Sequence, residues 1–370
     1  MSEIKVNSIK GVGASTAAIT VNNSDGTCTA NITNNLSNRN LIINGAMQCA
    51  QYGSSSTTNG YGSVDRFAVY SQGADEAPTH AQVSVASGTT PYTLGFRTAL
   101  KVTNGNQTGG AGGGDLVAID YSIEAQDLAN SGWLSTSASS YLTLSFWIKS
   151  SVAQNFYVML RSEDGTQRAY VIETGSLSAD TWTKVTKTIP GNTSPTVDID
   201  NNNGRGMLIE FVAFRGTDGT GSVTLNQWAT YSSSARVPNM TSTWYTTNDA
   251  TLELTGVQLE VSDHATDFEH RSFAQELELC KRYFLKWNKT GSSRYTYSGG
   301  YSSHATSAFI DVTFNPEMRA APTVGTWSDA NITSASWSTL NPECAIYNGT
   351  ATQTGSAARI ASAVDFSAEL

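Results

Sequence analysis

Acidic side chains that lie close together in the sequence are the first candidates for chemistry in this chain of 370 residues. Hydrolysis of a glycosidic bond needs two carboxylates facing one cleft, where one donates a proton and the other acts as base or nucleophile. Candidate acidic pairs include Asp75 with Glu76, Glu163 with Asp164, and Asp198 with Asp200. Each pair lies in a turn-like context, where carboxylates generally face solvent. The sequence therefore predicts that the protein is not an enzyme.

Histidine and cysteine provide no further catalytic or metal-binding pattern. The four histidines are not accompanied by a GxSxG motif, which would present a serine nucleophile to a base. Cys28, Cys49, Cys280 and Cys344 include no CxxC pair, so we predict free thiols and neither a zinc site nor a disulfide framework. Residues 198–204 alternate oxygen ligands as a calcium loop does, but they lack the sixth-position glycine and the distal glutamate. These residues predict no cofactor.

The charge of the chain argues against two classes of partner. Its formal net charge is −9, and no run of lysine or arginine offers a basic patch. An acidic surface repels phosphate backbones and anionic lipid, so we predict no binding to nucleic acid. The sequence also lacks an apolar signal-peptide core and any apolar run of about 20 residues, the length that a membrane-spanning helix needs. We therefore predict no membrane insertion and no export.

Sugar recognition depends on aromatic rings that stack on the apolar face of a sugar, beside polar groups that bind its hydroxyls. Two aromatic clusters fall in a long stretch with a poor strand pattern, and a further tryptophan projects opposite the apolar residues of its own strand. The predicted glycan-binding candidates are Trp228, Tyr231, Trp244, Tyr245 and Trp147. The alternative for each ring is burial against a loop or a neighbouring subunit.

These rings must be positioned by β-strands, because residues 41–268 contain many segments that alternate apolar and polar side chains. Every second residue from Leu142 to Ile148 is apolar, and residues 207–214 are apolar on both faces, which is typical of a central strand. The alternation changes phase at Gly256, which predicts a β-bulge. Many strands without intervening helical patterns indicate two packed sheets.

A helical pattern follows the last of these strands. The apolar residues are spaced four, three, four and three apart, which is a heptad repeat, and we predict a helix over residues 271–287. The residues predicted to form a trimer interface are Phe273, Leu277, Cys280, Phe284 and Trp287. Because a helix this short is marginal in isolation, it needs a partner. Packing against its own domain is the alternative to association around a threefold axis.

Several motifs recur in an order that resembles a known family. Residues 41–45 (LIING) open the β-region and residues 255–260 (TGVQLE) close it. Between them lie 64–67 (VDRF), 144–150 (LSFWIKS), 180–182 (DTW) and 189–194 (IPGNTS). Together they resemble jelly-roll carbohydrate-binding modules, in the version found in tail-fibre and receptor-binding proteins of tailed bacteriophages. The resemblance covers about residues 41–284, and 314–323 with 366–370 resemble the tip domain of the same fibres.

The resemblance implies a mainly β protein with four parts. Residues 1–40 would attach to other virion proteins, 41–270 would form the jelly-roll β-sandwich, 271–287 the short trimer-forming helix, and 288–370 a small C-terminal β tip. It implies a homotrimer located in the virion that binds a host surface polysaccharide without catalysis. A structural head-fibre, decoration or connector protein is one alternative, and a glycan-degrading tail spike is another. The resemblance alone also leaves a structural Ca²⁺ open.

Overall fold

The computed structural model is mainly β, as the sequence predicts. Nearly all strand pairs are antiparallel, and the helices are short. No helix within the described residues is long and apolar enough to cross a membrane. The structure describes residues 6–10, 12, 19–21, 24, 28–30, 38–287, 308–327, 329–330, 332–352, 359–360 and 364–370.

A small N-terminal sheet comes first along the chain. Strands β1 (Ser8–Ile9), β2 (Ile19–Val21) and β3 (Cys28–Ala30) pair antiparallel in that order. The predicted alternation around Ile4 and Ile32 lies outside the described residues. Because the strands are two or three residues long, this sheet buries little apolar surface of its own.

Two six-stranded sheets form the body of the molecule. The strands are β4 (Ser55–Ser56), β5 (Phe67–Gln72), β6 (Thr79–Ser84), β7 (Thr98–Thr103), β8 (Leu116–Glu124), β9 (Tyr141–Ser150), β10 (Asn155–Ser162), β11 (Arg168–Ser176), β12 (Thr183–Pro190), β13 (Arg205–Arg215), β14 (Trp228–Thr230) and β15 (Thr251–Val261). One sheet has the order β14-β11-β10-β13-β8-β5, and the other has the order β12-β9-β15-β7-β6-β4. Short helices connect some strands: α1 (Thr90–Thr93), α2 (Ala125–Ala129) and α3 (Thr243–Thr246).

The core lies between these two sheets and follows the predicted alternation. Leu142, Leu144, Phe146 and Ile148 of β9 all point inward and are at most 2% exposed. The doubly apolar strand β13 lies between β10 and β8 and is buried along almost its whole length, as its pattern predicts. The predicted β-sandwich is therefore confirmed.

The predicted bulge in β15 is present at Gly256. The register of β15 on β9 shifts between Thr255 and Gln258, and Gly256 has a φ of +62°. A Cβ at this position would lie 2.7 Å from Cζ of Phe96, so both the backbone angle and the available space favour glycine. The bulge lets apolar side chains on both sides of it reach the core, although their spacing in the sequence changes phase.

The predicted helix over residues 271–287 is wrong beyond Lys281. Helix α4 (Phe273–Lys281) begins at a capping box formed by Ser272 and Gln275, and residues Phe284–Trp287 form the strand β16 instead. Phe284 is buried within its own chain, where its ring stacks on Tyr52 at 3.6 Å between centroids. The five residues with heptad spacing therefore lie partly on a helix and partly on a strand, so they do not form one face of a helix.

The predicted trimer interface changes with that correction. Cys280 is 0% exposed and Phe284 2%, and Trp287 packs against the core of the C-terminal domain, so these three face their own chain. Leu277 is half-buried. Phe273 is 56% exposed and remains available at the surface.

The C-terminal domain begins at β16, earlier than the predicted boundary at residue 288. Its other strands are β17 (Ala308–Thr313), β18 (Thr323–Val324), β19 (Asp329–Ala330), β20 (Ile332–Leu340), β21 (Cys344–Ala351), β22 (Arg359–Ile360) and β23 (Val364–Ser367). They form sheets with the orders β16-β23-β18, β17-β21-β20 and β19-β22 around a second core.

One buried ion pair joins this domain to the sandwich, and a second pair holds the segment that precedes it. The Arg66 guanidinium pairs with the Glu369 carboxylate and lies 3.4 Å from the centroid of the Tyr283 ring. Arg282 donates to both carboxylate oxygens of Glu124, at 2.9 and 3.0 Å. Since the Arg66 and Glu369 side chains are only 1% and 6% exposed, the interface between the domains is dry at this point.

Candidate functional site

Three of the five predicted glycan-binding rings are buried in the sandwich. Trp244 and Tyr245 are 0% exposed and Trp228 is 7% exposed, so the prediction that they contact a glycan is wrong. Trp244 and Tyr245 belong to helix α3, which places both rings in the main core, and Trp228 donates from Nε1 to the carbonyl of Pro190. A segment without a clear strand pattern is not necessarily exposed, because a short connecting element can also place its side chains in the core.

The other two predicted rings lie at the surface. Trp147 is half-buried and lines a pocket of about 230 Å³ on the outer face of the second sheet, together with Phe268 and Lys184. Tyr231 is half-buried beneath two guanidinium groups, those of Arg161 at 4.4 Å and Arg236 at 5.6 Å from its ring centroid. These cations are part of a larger cleft.

This cleft lies on the outer face of the first sheet and has a volume of about 490 Å³; we call it the outer-face cleft. Strand alternation builds it, because side chains of β5, β8, β10 and β13 that do not enter the core must project to the other side. The titratable and polar side chains that line it are Asn59, Tyr61, Tyr70, Ser71, Gln72, Asp120, Ser122, Arg161, Arg205, Glu210, Arg215 and Arg236, and Leu370 lies among them.

A loop closes one side of this face. Residues 216–227 and 231–240, on either side of the edge strand β14, fold across the outer face of β10, β11 and β13, where Val237 packs on Met159 and Val171 in a separate apolar cluster. Half of the sheet face is thereby covered, while the half formed by β8 and β5 remains open. The loop also places Arg236 and Tyr231 at the edge of the cleft.

Two carboxylates stand opposite each other at the base of the cleft. Asp120 of β8 and Glu210 of β13 are direct register partners, so their side chains share the outer face. Glu210 pairs with Arg215 and lies 3.7 Å from Nη1 of Arg236. Burial, and then the charge of Glu210, raise the pKa of the Asp120 carboxyl from 3.8 to about 8. Its Oδ1 atom has no hydrogen-bond partner among the described residues.

The arginines of the cleft differ in how far they are already engaged. Arg161 donates from Nε to Glu163 at 2.7 Å, and Arg215 is held by Glu210. Arg205 contacts its nearest oxygens only at 3.4 Å, on Ser122, and at 3.8 Å, on Glu163. Its side chain is 35% exposed, so its guanidinium group has N–H donors directed to solvent.

The contacts of Glu210 limit how a ligand can reach this acid pair. A retaining or inverting mechanism needs a carboxylate that can reach the sugar or its attacking water. Glu210 is only 2% exposed, and its two oxygens face Arg215 and Arg236. The pair can bind and orient hydroxyl or charged groups at the cleft base, but Glu210 is shielded from a reacting carbon.

Sequence reasoning missed this pair because its members are far apart in the chain. Asp120 and Glu210 each interrupt an otherwise apolar strand, LVAIDYSIE at 116–124 and RGMLIEFVAFR at 205–215. A carboxylate on the outer face of a central strand is therefore the signal that could have found the site. Of the predicted acidic pairs, Glu163 does lie close to the cleft, where it accepts from Arg161.

One group of side chains in the sandwich could hold a metal ion. Ligand atoms of Cys49, Asp65 and Cys280 all lie within 4.8 Å of one another, and all three residues are buried. Asp65 already accepts from the backbone N–H of Gln51 at 2.6 Å and from its side-chain amide at 2.9 Å. The scattered sequence positions of the cysteines gave no indication of this proximity.

Comparisons with known proteins complete the description. No protein-family model matches the chain, and no curated protein matches it. The chain is similar to the enzymatically active domain of tailspike protein 4 of bacteriophage CBA120, with 11% identity and a TM-score of 0.30, over 60% of this chain and 21% of that one. The chain thus spans about a fifth of that protein's length.

Carbohydrate-binding modules are also among the similar structures. A family 11 module of a Clostridium thermocellum cellulosomal cellulase has 16% identity and a TM-score of 0.26, over 59% of this chain and 98% of that one. The N-terminal cellulose-binding domain of Cellulomonas fimi β-1,4-glucanase C has 12% identity and a TM-score of 0.28, over 58% and 98%. At TM-scores this low, the likeness carries no argument about a ligand.

Proposed function

We propose that this chain is a fibre protein of a tailed-bacteriophage virion that attaches to its host by binding a surface glycan without catalysis. The observation that carries the proposal is the outer-face cleft, which is open to solvent and combines tyrosine rings with hydrogen-bonding groups. The order of the sequence motifs supports the virion assignment, and residues 1–40 would make the contact with other virion proteins.

The chemistry of the cleft suits an oligosaccharide. Tyr70 is 40% exposed and offers a ring face to the apolar side of a sugar, while Gln72 provides an amide for hydroxyl groups. A volume of about 490 Å³ falls within the usual range of ligand pockets. The shielding of Glu210 supports binding rather than hydrolysis.

Host-cell adsorption of the purified protein tests this function. Tyr70→Ala should weaken adsorption, because it removes the exposed ring without emptying the core. Tyr92→Ala is the matched control, since Tyr92 packs with Phe96 on the opposite sheet. Wild-type protein that adsorbs to no host cell, yet binds virion proteins, would favour the connector role instead. Release of reducing ends from host polysaccharide would contradict the non-catalytic part of the proposal.

Association of three copies would multiply weak glycan contacts. The apolar surface available for it lies on α4, where Phe273 is 56% and Leu279 is 37% exposed. Phe273→Ser combined with Leu279→Ser should convert a trimer to monomers in light scattering, with the far-ultraviolet circular dichroism unchanged. A wild-type mass equal to that of one chain would contradict trimerisation. Phe284 is unsuitable for this test because it is buried within its own chain.

A further inference from the structure

We propose that the outer-face cleft selects acidic glycans and holds an oxyanion substituent, a carboxylate or a phosphate, against the guanidinium groups of Arg205 and Arg236. This inference rests on the proposed glycan-binding function and specifies its ligand class. None of the three buried rings that the sequence predicted to bind a glycan (Trp228, Trp244 and Tyr245) lines this cleft.

The charge of the cleft is opposite to that of the chain as a whole. The sequence has 31 acidic residues against 22 lysines and arginines, yet four arginines face this one cleft. Glu210 lies among them and Glu163 beside them, each in contact with arginine. A neutral sugar has no need of four guanidinium groups, whereas the planar guanidinium fork matches the geometry of a carboxylate or phosphate.

Two of these arginines retain donors for a ligand. Arg205 contacts its nearest oxygens at 3.4 and 3.8 Å, which leaves most of its N–H groups unengaged by the described residues. Arg236 approaches Glu210 at only 3.7 Å, through Nη1, and its Nε is buried, so the Nη groups are the donors that a ligand can reach. Because both side chains are about one-quarter to one-third exposed, an incoming oxyanion can reach them.

Asp120 makes this selection dependent on pH. Burial raises its pKa to about 8, so at neutral pH it is protonated and can donate to an oxyanion. Above that pH it becomes a carboxylate and repels the same ligand. The charged or titratable groups that act on it are Glu210, Arg205 and Arg215 of β13, Arg161 of β10, Tyr70 of β5 and Tyr61, which precedes β5. The affinity for an acidic glycan should therefore fall as the pH rises through about 8.

An array of bacterial surface polysaccharides tests the selection. Uronate-containing polymers are presented before and after chemical reduction of their carboxylates, beside neutral and phosphate-bearing polymers. We expect the full chain to bind acidic polymers and to lose that binding on reduction; binding to phosphate polymers alone identifies phosphate as the oxyanion. Uronate polymers that bind, and bind equally before and after reduction, overturn this inference and leave the proposed function standing. Binding to no polymer of any class, with host cells also negative, overturns the proposed function itself.

Two substitutions locate the effect in the cleft. Arg205→Gln should weaken binding of the acidic polymer about tenfold or more, as expected for loss of a charged hydrogen bond. The matched control is Arg97→Gln, because Arg97 is exposed on the second sheet and lies 4.0 Å from the Tyr92 ring. Asp120→Asn should bind with the same affinity at pH 6 and pH 9, whereas the wild type weakens. Unchanged binding by Arg205→Gln, or a wild-type affinity constant across that range, contradicts the proposal.

Discussion

Asp120 is a carboxyl group whose titration should be visible in the stability of the protein. Its pKa is about 8 in the folded chain, against 3.8 for the unperturbed group, so the folded state retains the proton that the unfolded state has lost. The stabilising contribution is present below about pH 4 and is lost as the pH rises towards 8. We expect the urea midpoint of the wild type to fall between pH 5 and pH 9.

The comparison with Asp120→Asn isolates this residue. Asn cannot ionise, so the variant should show a smaller fall in midpoint over the same range. Burial also raises the pKa of Asp65, to about 6, so the variant should retain part of the wild-type dependence. Equal falls in both proteins would mean that Asp120 titrates normally in the folded state.

For individual residues, the sequence indicated which types of side chain could bind a ligand better than it indicated where in the fold those side chains lie. Of the rings predicted to bind a glycan, Trp147 lines a surface pocket and Tyr231 lies beneath Arg161 and Arg236, and a role in binding stays a prediction for both. The prediction failed for Trp244 because no local pattern reveals which face of a loop contacts the core. It missed Asp120 and Glu210 because strand pairing brings them together across 90 residues, and pairing order is a long-range property.

At the scale of elements, the bulge in β15 provides a direct test of packing. Gly256→Ala should destabilise the protein by roughly 1–3 kcal/mol through overpacking against Phe96, in addition to strain at positive φ. Equilibrium urea unfolding measures the difference. Gly88→Ala is the control, because Gly88 also has a positive φ, +84°, but has open space around it. A loss no larger than that of the control would show that the Phe96 contact relaxes without cost.

The same element shows what periodicity can establish. The phase change in Thr251–Val261 predicted the bulge from side-chain alternation alone, and the structure contains it. The apolar spacing from Phe273 to Trp287 was equally regular but joined two kinds of structure. Helix α4 ends at Lys281, and the residues after it pair with β23 instead, where Phe284 is buried and Trp287 packs on the core of the C-terminal domain.

At the scale of the whole molecule, the Arg66–Glu369 pair should hold the two domains together. Arg66→Met leaves the Glu369 carboxylate buried without its counter-ion, which typically costs about 3–5 kcal/mol. We expect calorimetry to resolve a separate, lower transition for the C-terminal domain and limited proteolysis to cut between the domains. Lys286→Met is the control, since its pair with Asp365 is exposed at a distance of 3.8 Å. A single transition at the wild-type temperature would contradict this role.

The fold class at this scale followed from the sequence, because strand alternation and turn residues recur throughout residues 41–268. The start of the C-terminal domain did not, since β16 pairs with β23 about 80 residues later. The attachment of residues 1–40 to other virion proteins and the association of copies both depend on other chains, so they stay proposals.

The outer-face cleft is shared between the two domains, because Leu370 lies in its lining and the Tyr61 hydroxyl donates to the Leu370 carbonyl at 3.4 Å. A ligand that contacts both Leu370 and the sandwich side of the cleft would link its own binding to the docking of the domains, and each would then change the other by the same factor. Tension applied to the C-terminal domain would loosen the grip on a captured sugar, whereas a filled cleft would stiffen the joint. In a fibre with this arrangement, ligand binding at the cleft would therefore change the stiffness of the contact between the two domains.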